Sequence, residues 1–143
     1  MELKDLASVS GKGGLYRIVK PGKAGMLLES VDESKSKLVV GANTKVSVLE
    51  EISIYSRTKE GTIPLGQVIR KIKKDFENDL GVDSNSDPAE LKAFMKSVLP
   101  EYDSERVYVS DIKRLVKWYS IINQFAPEIF LEDPTESPAK TKD

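Results

Sequence analysis

The sequence contains no cysteine and no histidine. Without cysteine the chain cannot form a disulfide, a thiolate nucleophile or a zinc–thiolate site. Without histidine it lacks the commonest general base and the commonest metal ligand, which excludes mechanisms that depend on imidazole. No convergent polar motif replaces them. We therefore expect no enzymatic activity and no cofactor, and we assign no catalytic, cofactor-binding or metal-binding residue.

Long apolar runs are also absent. No stretch approaches the roughly 20 apolar residues that span a bilayer, and residues 1–5 lack the basic start and apolar segment of a secretory signal. The 143 residues, 39% hydrophobic and 31% charged, suit one ordinary domain or two small ones. We expect a cytoplasmic protein without a membrane partner.

The first half of the chain shows the pattern of a small antiparallel β-unit. Short runs rich in Val, Ile, Leu and Tyr alternate with turn sequences and predict strands at Gly14–Lys20, Gly25–Val31, Lys37–Val40 and Ile52–Tyr55. Leu3–Ala7 predicts one helical turn before them, and the capping pattern Ser47-x-x-Glu50 predicts another. Because apolar residues occupy both strand faces, we expect the sheet to curl into a small Src-homology-type barrel.

An amphipathic helix is predicted after the barrel. Apolar residues recur at helical spacing between Pro64 and Gly81, with Gly81 as the expected C-cap: Leu65, Val68, Ile69, Ile72, Phe76 and Leu80. Residues 1–80 thus form the first predicted domain, a β-barrel with a C-terminal helix.

A helical pair is predicted in the second half. Residues 81–86 read as a linker and residues 87–130 as two helices, one starting at Asp87-Pro88 and one capped by Ser110. Residues 131–143 are charged and contain proline, which predicts a disordered tail. The predicted fold class is α+β: a small antiparallel barrel plus one amphipathic helix, followed by a small helix–loop–helix domain.

Trp118, Ile121 and Phe125 widen the apolar stripe of the second helix of this pair beyond what one partner helix would cover. These three residues either pack the helical pair onto the barrel or form an aromatic anchor for a protein partner or a second copy of the chain.

A set of cations suggests an alternative, nucleic-acid contact. Residues 1–80 carry 14 Lys and Arg against 11 Asp and Glu, whereas residues 81–143 carry 8 against 12. The candidate contacts lie on the predicted barrel and helix: Arg17, Lys20, Arg70, Lys71 and Lys74. Tyr16 and Tyr55 offer stacking surfaces, but interspersed carboxylates dilute the cluster.

For two further features of the sequence, a structural role is a better interpretation than a binding function. The loop Ser10–Gly14 is followed by a strand, whereas a phosphate-cradling loop needs a longer glycine spacing and a following helix. A helix–turn–helix interpretation of the second half would have to use Lys113, Arg114 and Lys117, which lie in the acidic half of the chain.

Several segments resemble an uncharacterised family of Bacteroidetes proteins. They are Leu6–Lys12, Gly14–Tyr16, Leu49–Tyr55 and Ser110–Tyr119, and the resemblance covers most of residues 3–126. It implies a small barrel-like N-terminal domain followed by a helical domain. It implies no activity and no catalytic residues, because the family is known only as a domain of unknown function.

From the sequence we predict a non-enzymatic protein–protein interaction or scaffolding module, with an unknown protein or a second copy as partner. The alternatives are nucleic-acid binding through the basic barrel and the helix over residues 65–80, and a small enzyme that uses carboxylate, lysine or tyrosine chemistry.

Overall fold

The computed structural model describes residues 1–22, 25–77 and 79–131. Its strands are β1 (Leu6–Val9), β2 (Tyr16–Lys20), β3 (Gly25–Ser30), β4 (Lys37–Gly41), β5 (Val46–Val48), β6 (Ser53–Tyr55) and β7 (Thr62–Pro64). Its helices are α1 (Leu65–Phe76), α2 (Pro88–Val98) and α3 (Val109–Phe125), with 3₁₀ turns at Leu3–Asp5, Leu49–Glu51 and Pro127–Leu131. The predicted α+β class is confirmed.

The first five strands form one antiparallel sheet in the order β4-β3-β2-β1-β5. Strands β6 and β7 pair separately as a two-stranded sheet. Within the described residues β4 and β5 are the two edges of the larger sheet and do not pair with each other, so the expected closure into a barrel is not confirmed. The strand-forming pattern sets the local structure, but closure depends on which edges meet.

The two short helical turns predicted from the sequence differ in part from the structure. Leu3–Asp5 forms the expected turn, but Leu6 and Ala7 belong to β1, where both are fully buried. The helical turn predicted beside Ser47 is present as the 3₁₀ turn Leu49–Glu51, but its predicted cap is wrong, because Ser47 lies in β5 opposite Ser8. Pairing with a neighbouring strand gives the backbone N–H and C=O groups of these residues more hydrogen bonds than an isolated turn would.

The apolar stripe of α1 is confirmed, but the helix ends earlier than predicted. Glu77 has φ 55° and ends α1, whereas the predicted C-cap, Gly81, lies in the following turn with φ 76°. A positive φ takes the chain out of the right-handed helical region. Phe76, at the end of α1, packs its ring 5.2 Å from that of Phe94 in α2.

The two later helices start as helix-capping chemistry dictates. At α2 the carboxylate of Glu90 accepts a hydrogen bond from the backbone N–H of Asp87 at 3.1 Å, as the capping pattern predicts. The predicted cap of α3 is wrong. Ser110 lies inside the helix, and Asp111 accepts from the N–H of Tyr108 at 2.9 Å instead.

One hydrophobic cluster joins the sheet to the helices. Its buried members come from both sides of the predicted linker at residues 81–86, among them Leu6, Leu15, Leu49, Leu65, Met95 and Tyr119. A smaller cluster of Val9, Leu28 and Val40 lies apart from the first. Of the predicted disordered tail, residues 132–143 lie outside the described residues.

Candidate binding cleft

Two loops meet at one end of the larger sheet. β1 and β5 pair antiparallel, with Val9 opposite Val46, so the end of β1 lies beside the start of β5. The glycine-rich loop Ser10–Gly14 therefore lies beside Lys45, and the N–H of Ser10 donates to the carbonyl of Lys45 at 3.0 Å. This places the side chains of Lys12 and Lys45 at the same end of the sheet.

Helix α3 completes the cleft. Lys113 and Lys117 are four residues apart and so share one face of the helix. A Cβ atom at Gly13 would lie 3.5 Å from Nζ of Lys117, and one at Gly14 would lie 4.0 Å from Ile121. Gly14 has φ 79°, a conformation that favours glycine and lets the loop turn against the helix.

The space between these segments, which we call the basic cleft, has a volume of about 580 Å³. Its lining includes five cations: Lys12, Lys45, Lys113, Arg114 and Lys117. None of the described residues that line it is acidic. A cleft lined by charges of one sign focuses the electrostatic potential, so the basic cleft attracts anions although the chain has a formal net charge of −1.

Most of these cations have no carboxylate partner. Arg114 lies 3.7 Å from Asp111, but the four lysines make no ion pair with the described residues. All four lysines are exposed. Their charge is therefore available to a ligand.

A second space, which we call the apolar groove, adjoins the basic cleft. It has a volume of about 290 Å³ and shares Ser8, Ser47, Arg114 and Trp118 with the cleft. Its remaining lining is mainly apolar, with Asp111 as the acidic member: Ile52, Ser53, Ile54, Tyr55, Leu65, Val107, Asp111 and Leu115. A mostly apolar space with a few placed polar groups is typical of a ligand site.

The predicted aromatic anchor lies mostly inside the protein. Trp118 is 7% exposed and belongs to the main hydrophobic cluster, where Ile121 and Phe125 pack against it half-buried. This placement agrees with the packing interpretation of the three residues. Docking of a partner on them stays a prediction.

The five cations predicted to contact nucleic acid do not line the basic cleft. Arg17 and Lys37 both bind the carboxylate of Glu29, at 3.1 and 2.9 Å, and their hydrogen bonds, that of Lys37 foremost, hold the pKa of Glu29 below its usual value. On α1, Lys71 pairs with Asp75 at 2.9 Å.

The remaining three predicted contacts are placed differently. Lys20 and Lys74 are exposed. One terminal nitrogen of Arg70 is buried and has no hydrogen-bond partner within the described chain.

A smaller basic space lies elsewhere, between α2 and the residues after β6. It has a volume of about 390 Å³ and is lined by Arg57, Lys92 and Lys96. Arg57 lies 3.6 Å from Asp103, which neutralises part of this charge. The basic cleft is therefore the stronger anion site of the two.

Sequence reasoning missed the cleft because its parts are distant in the chain. The signals in the sequence are the lysine within the Ser10–Gly14 loop and the i, i+4 pair Lys113 and Lys117. Nothing in the sequence marks Lys45. Only the antiparallel pairing of β1 with β5 brings it to the loop.

The described residues contain no group of three or more acidic side chains placed to hold a metal ion. Among the same residues, no helix has both the length and the apolar character needed to cross a membrane.

The chain is similar to a protein from Bacteroides vulgatus whose solution NMR structure was determined as a structural-genomics target. The two are 32% identical, with a TM-score of 0.65, and the match covers 96% of this chain and 94% of that one. No curated protein matches this chain.

Two family models match the chain in succession. Residues 3–49 match a domain of unknown function (DUF5606) and residues 52–122 match another domain of unknown function (DUF6852). In this division β6, β7 and α1 go with the later helices, and the basic cleft lies between the two matched regions, since Lys12 and Lys45 come from the first and Lys113 and Lys117 from the second.

Proposed function

Because the chain belongs to the same family as the Bacteroides vulgatus protein, and both family models that match it are domains of unknown function, we propose a function from the cleft between the two matched regions. The protein is a non-enzymatic binding module that holds the phosphate backbone of a nucleic acid in the basic cleft. The observation that supports this most strongly is the set of five cations in the cleft lining, of which the four lysines make no ion pair with the described residues.

Phosphate contacts account for most of the affinity of nucleic-acid binding proteins, and lysine and arginine provide them. Here the cations come from three separate segments, the Ser10–Gly14 loop, the loop before β5, and α3. Charges distributed in this way suit a ligand that carries several anionic groups along its length. The serine hydroxyls of Ser10, Ser47 and Ser110, which line the same cleft, are suitable hydrogen-bond donors to phosphate oxygens.

The composition of the cleft also supports binding without catalysis. Among its described lining residues, no carboxylate is available as a general base beside the five serines, and the chain has no histidine or cysteine to take that role. The proposal retains the cytoplasmic location predicted from the sequence, where RNA and DNA are available.

This proposal keeps the nucleic-acid alternative predicted from the sequence. It places the contact surface in the basic cleft instead of on the five cations predicted from the sequence. It ranks above a protein-interaction module because Trp118, one of the three candidate anchor residues of that module, is buried. An acidic protein segment is the competing occupant of the same cleft, and the test includes it.

The test is a fluorescence-anisotropy titration of the full chain with labelled single-stranded RNA and DNA at several salt concentrations. If about four phosphates are contacted, the affinity for a single strand should fall about fiftyfold between 50 and 200 mM salt, since the slope of log K against log salt is about 0.7 per contact. The double variant K113Q/K117Q should reduce this slope by about 1.4.

The matched control is K71Q/K74Q, which removes the same charge from α1, outside the cleft. It should leave both affinity and slope close to those of the unchanged protein. Equal losses in the two double variants, or a loss in K71Q/K74Q alone, would contradict the proposal. Tighter binding of an acidic peptide than of any nucleic acid at matched salt would also contradict it and favour a protein partner.

A further inference from the structure

The apolar groove shares one of the five cations, Arg114, with the basic cleft and adjoins it. We propose that it receives one unstacked base of the bound strand and that Asp111 selects a base carrying an exocyclic amino group. This inference depends on the proposed function, because the strand must first lie in the basic cleft.

The two spaces are adjacent. Arg114 and Trp118 line both of them, so the cleft and the groove lie side by side along α3. Ser8 and Ser47, which face each other across β1 and β5, also line both spaces. Neither hydroxyl makes a hydrogen bond to the described residues, so both are available at the junction, where the sugar that joins phosphate to base would lie.

The walls of the groove suit a flat ring. Tyr55 lines it and is 49% exposed, although the groove is otherwise formed largely by buried or half-buried side chains. The guanidinium carbon of Arg106 lies 5.6 Å from the centre of the Tyr55 ring, a cation–π contact that favours one ring orientation. An exposed tyrosine held in this way is a platform for base stacking, which contributes substantially to single-strand binding.

Asp111 is the acidic residue among the described lining of the groove, and its carboxylate has free acceptor capacity. One oxygen accepts the N–H of Tyr108 at 2.9 Å, and the other lies 3.7 Å from Arg114, which is longer than a hydrogen bond. An ionised carboxylate has about four acceptor sites and no donor. It can therefore accept the N4 amino group of cytosine, whereas it repels the O4 carbonyl oxygen that uracil has at the same position.

The experiment compares three labelled single strands of equal length with the full chain: an abasic strand, an oligocytidine and an oligouridine. The abasic strand should bind with the salt slope of the phosphate contacts. The oligocytidine should bind about tenfold more tightly than the oligouridine, because the two bases have nearly the same shape and only cytosine offers an amino group at position 4 to Asp111.

Two variants, each with a matched control, test the roles of Asp111 and Tyr55 in base binding. In D111N the carboxamide oxygen can still accept from Tyr108, so α3 keeps its cap, but the amide can both donate and accept. The cytidine-to-uridine affinity ratio should then fall to about one. The variant D75N, which makes the same charge change on α1, should keep the ratio. Y55A should weaken oligocytidine binding about tenfold, and Y108A, which removes another exposed tyrosine, should not.

The outcomes separate the two proposals. If all three strands bind equally and with the same salt slope, the phosphate proposal stands and the base-binding inference is overturned. If D111N keeps the ratio of the unchanged protein, Asp111 does not select the base, which overturns the inference as well. If no strand binds at low salt, both proposals fail. A thermal unfolding curve for each variant shows whether a loss comes from the site or from unfolding.

Discussion

Tyr119 of α3 donates its phenolic hydrogen to the backbone carbonyl of Glu77, the residue that ends α1. The carbonyls at the end of a helix have no partner within the helix, so a side chain from elsewhere must satisfy them or water must. The contact joins the two helices that lie on either side of the predicted linker. Tyr119 is 2% exposed, and burial, with a smaller contribution from the charge of Glu77, raises its pKa to about 12.

The variant Y119F should lower the free energy of unfolding by about 1 kcal/mol at neutral pH, since it removes one hydrogen bond and leaves the carbonyl of Glu77 without its partner. The raised pKa also predicts a pH dependence. The folded state favours the neutral phenol, so its contribution is complete below pH 10, the ordinary pKa, and is lost as the pH rises from 10 through 12.

Urea unfolding at a series of pH values checks both effects. The difference in stability between the unchanged protein and Y119F should be constant below pH 10 and should shrink above it. A difference that stays constant up to pH 12 would show that Tyr119 ionises as readily in the folded chain as in the unfolded one.

The variant W118A should destabilise the protein by about 3–5 kcal/mol, the range found for removing a buried aromatic side chain. Trp118 is 7% exposed and lies in the main hydrophobic cluster, so its removal leaves a cavity. Y108A is the control at the start of the same helix, where Tyr108 is 66% exposed, and it should change stability by less than about 0.5 kcal/mol. Chemical denaturation measures both. A W118A chain of unchanged stability would return Trp118 to the role of a surface anchor.

The isolated segment of residues 1–80 should not fold on its own, although the sequence predicts it as a domain. Its buried side chains share one cluster with those of α2 and α3, and backbone hydrogen bonds cross as well, from Arg57 to Glu101 at 2.7 Å and from Asp103 to Tyr55 at 3.0 Å. Removing residues 81–143 would expose that apolar surface and leave these backbone groups unpaired.

Circular dichroism and NMR of the fragment check this expectation. The full chain should unfold in a single transition, with tryptophan fluorescence and circular dichroism giving the same midpoint. A dispersed NMR spectrum for residues 1–80 alone, or two separate transitions in the full chain, would support independent domains as the sequence predicts.

The local sequence pattern correctly predicted features that depend on a single helix or strand. The apolar stripe from Leu65 to Phe76 predicted α1, and Asp87 with Pro88 and Glu90 predicted the start of α2, because helix periodicity and capping depend on neighbours within a few residues. Strand alternation located β2, β3, β4 and β6 within a few residues. It missed β1, β5 and β7, short segments that become strands through pairing: β1 with β2 and β5, and β7 with β6.

What the sequence determined by itself was the α+β class, the positions of the helices and the absence of thiol and imidazole chemistry. Tertiary structure alone decided that, within the described residues, the two edge strands of the sheet do not pair and Trp118 is buried. It also gathered Lys12, Lys45, Lys113 and Lys117 into one cleft. The physical reason is sequence distance. The pairing of β1 with β5 and the packing of α3 against the glycine-rich loop are contacts between segments far apart in the chain, and no periodicity within a short window records them.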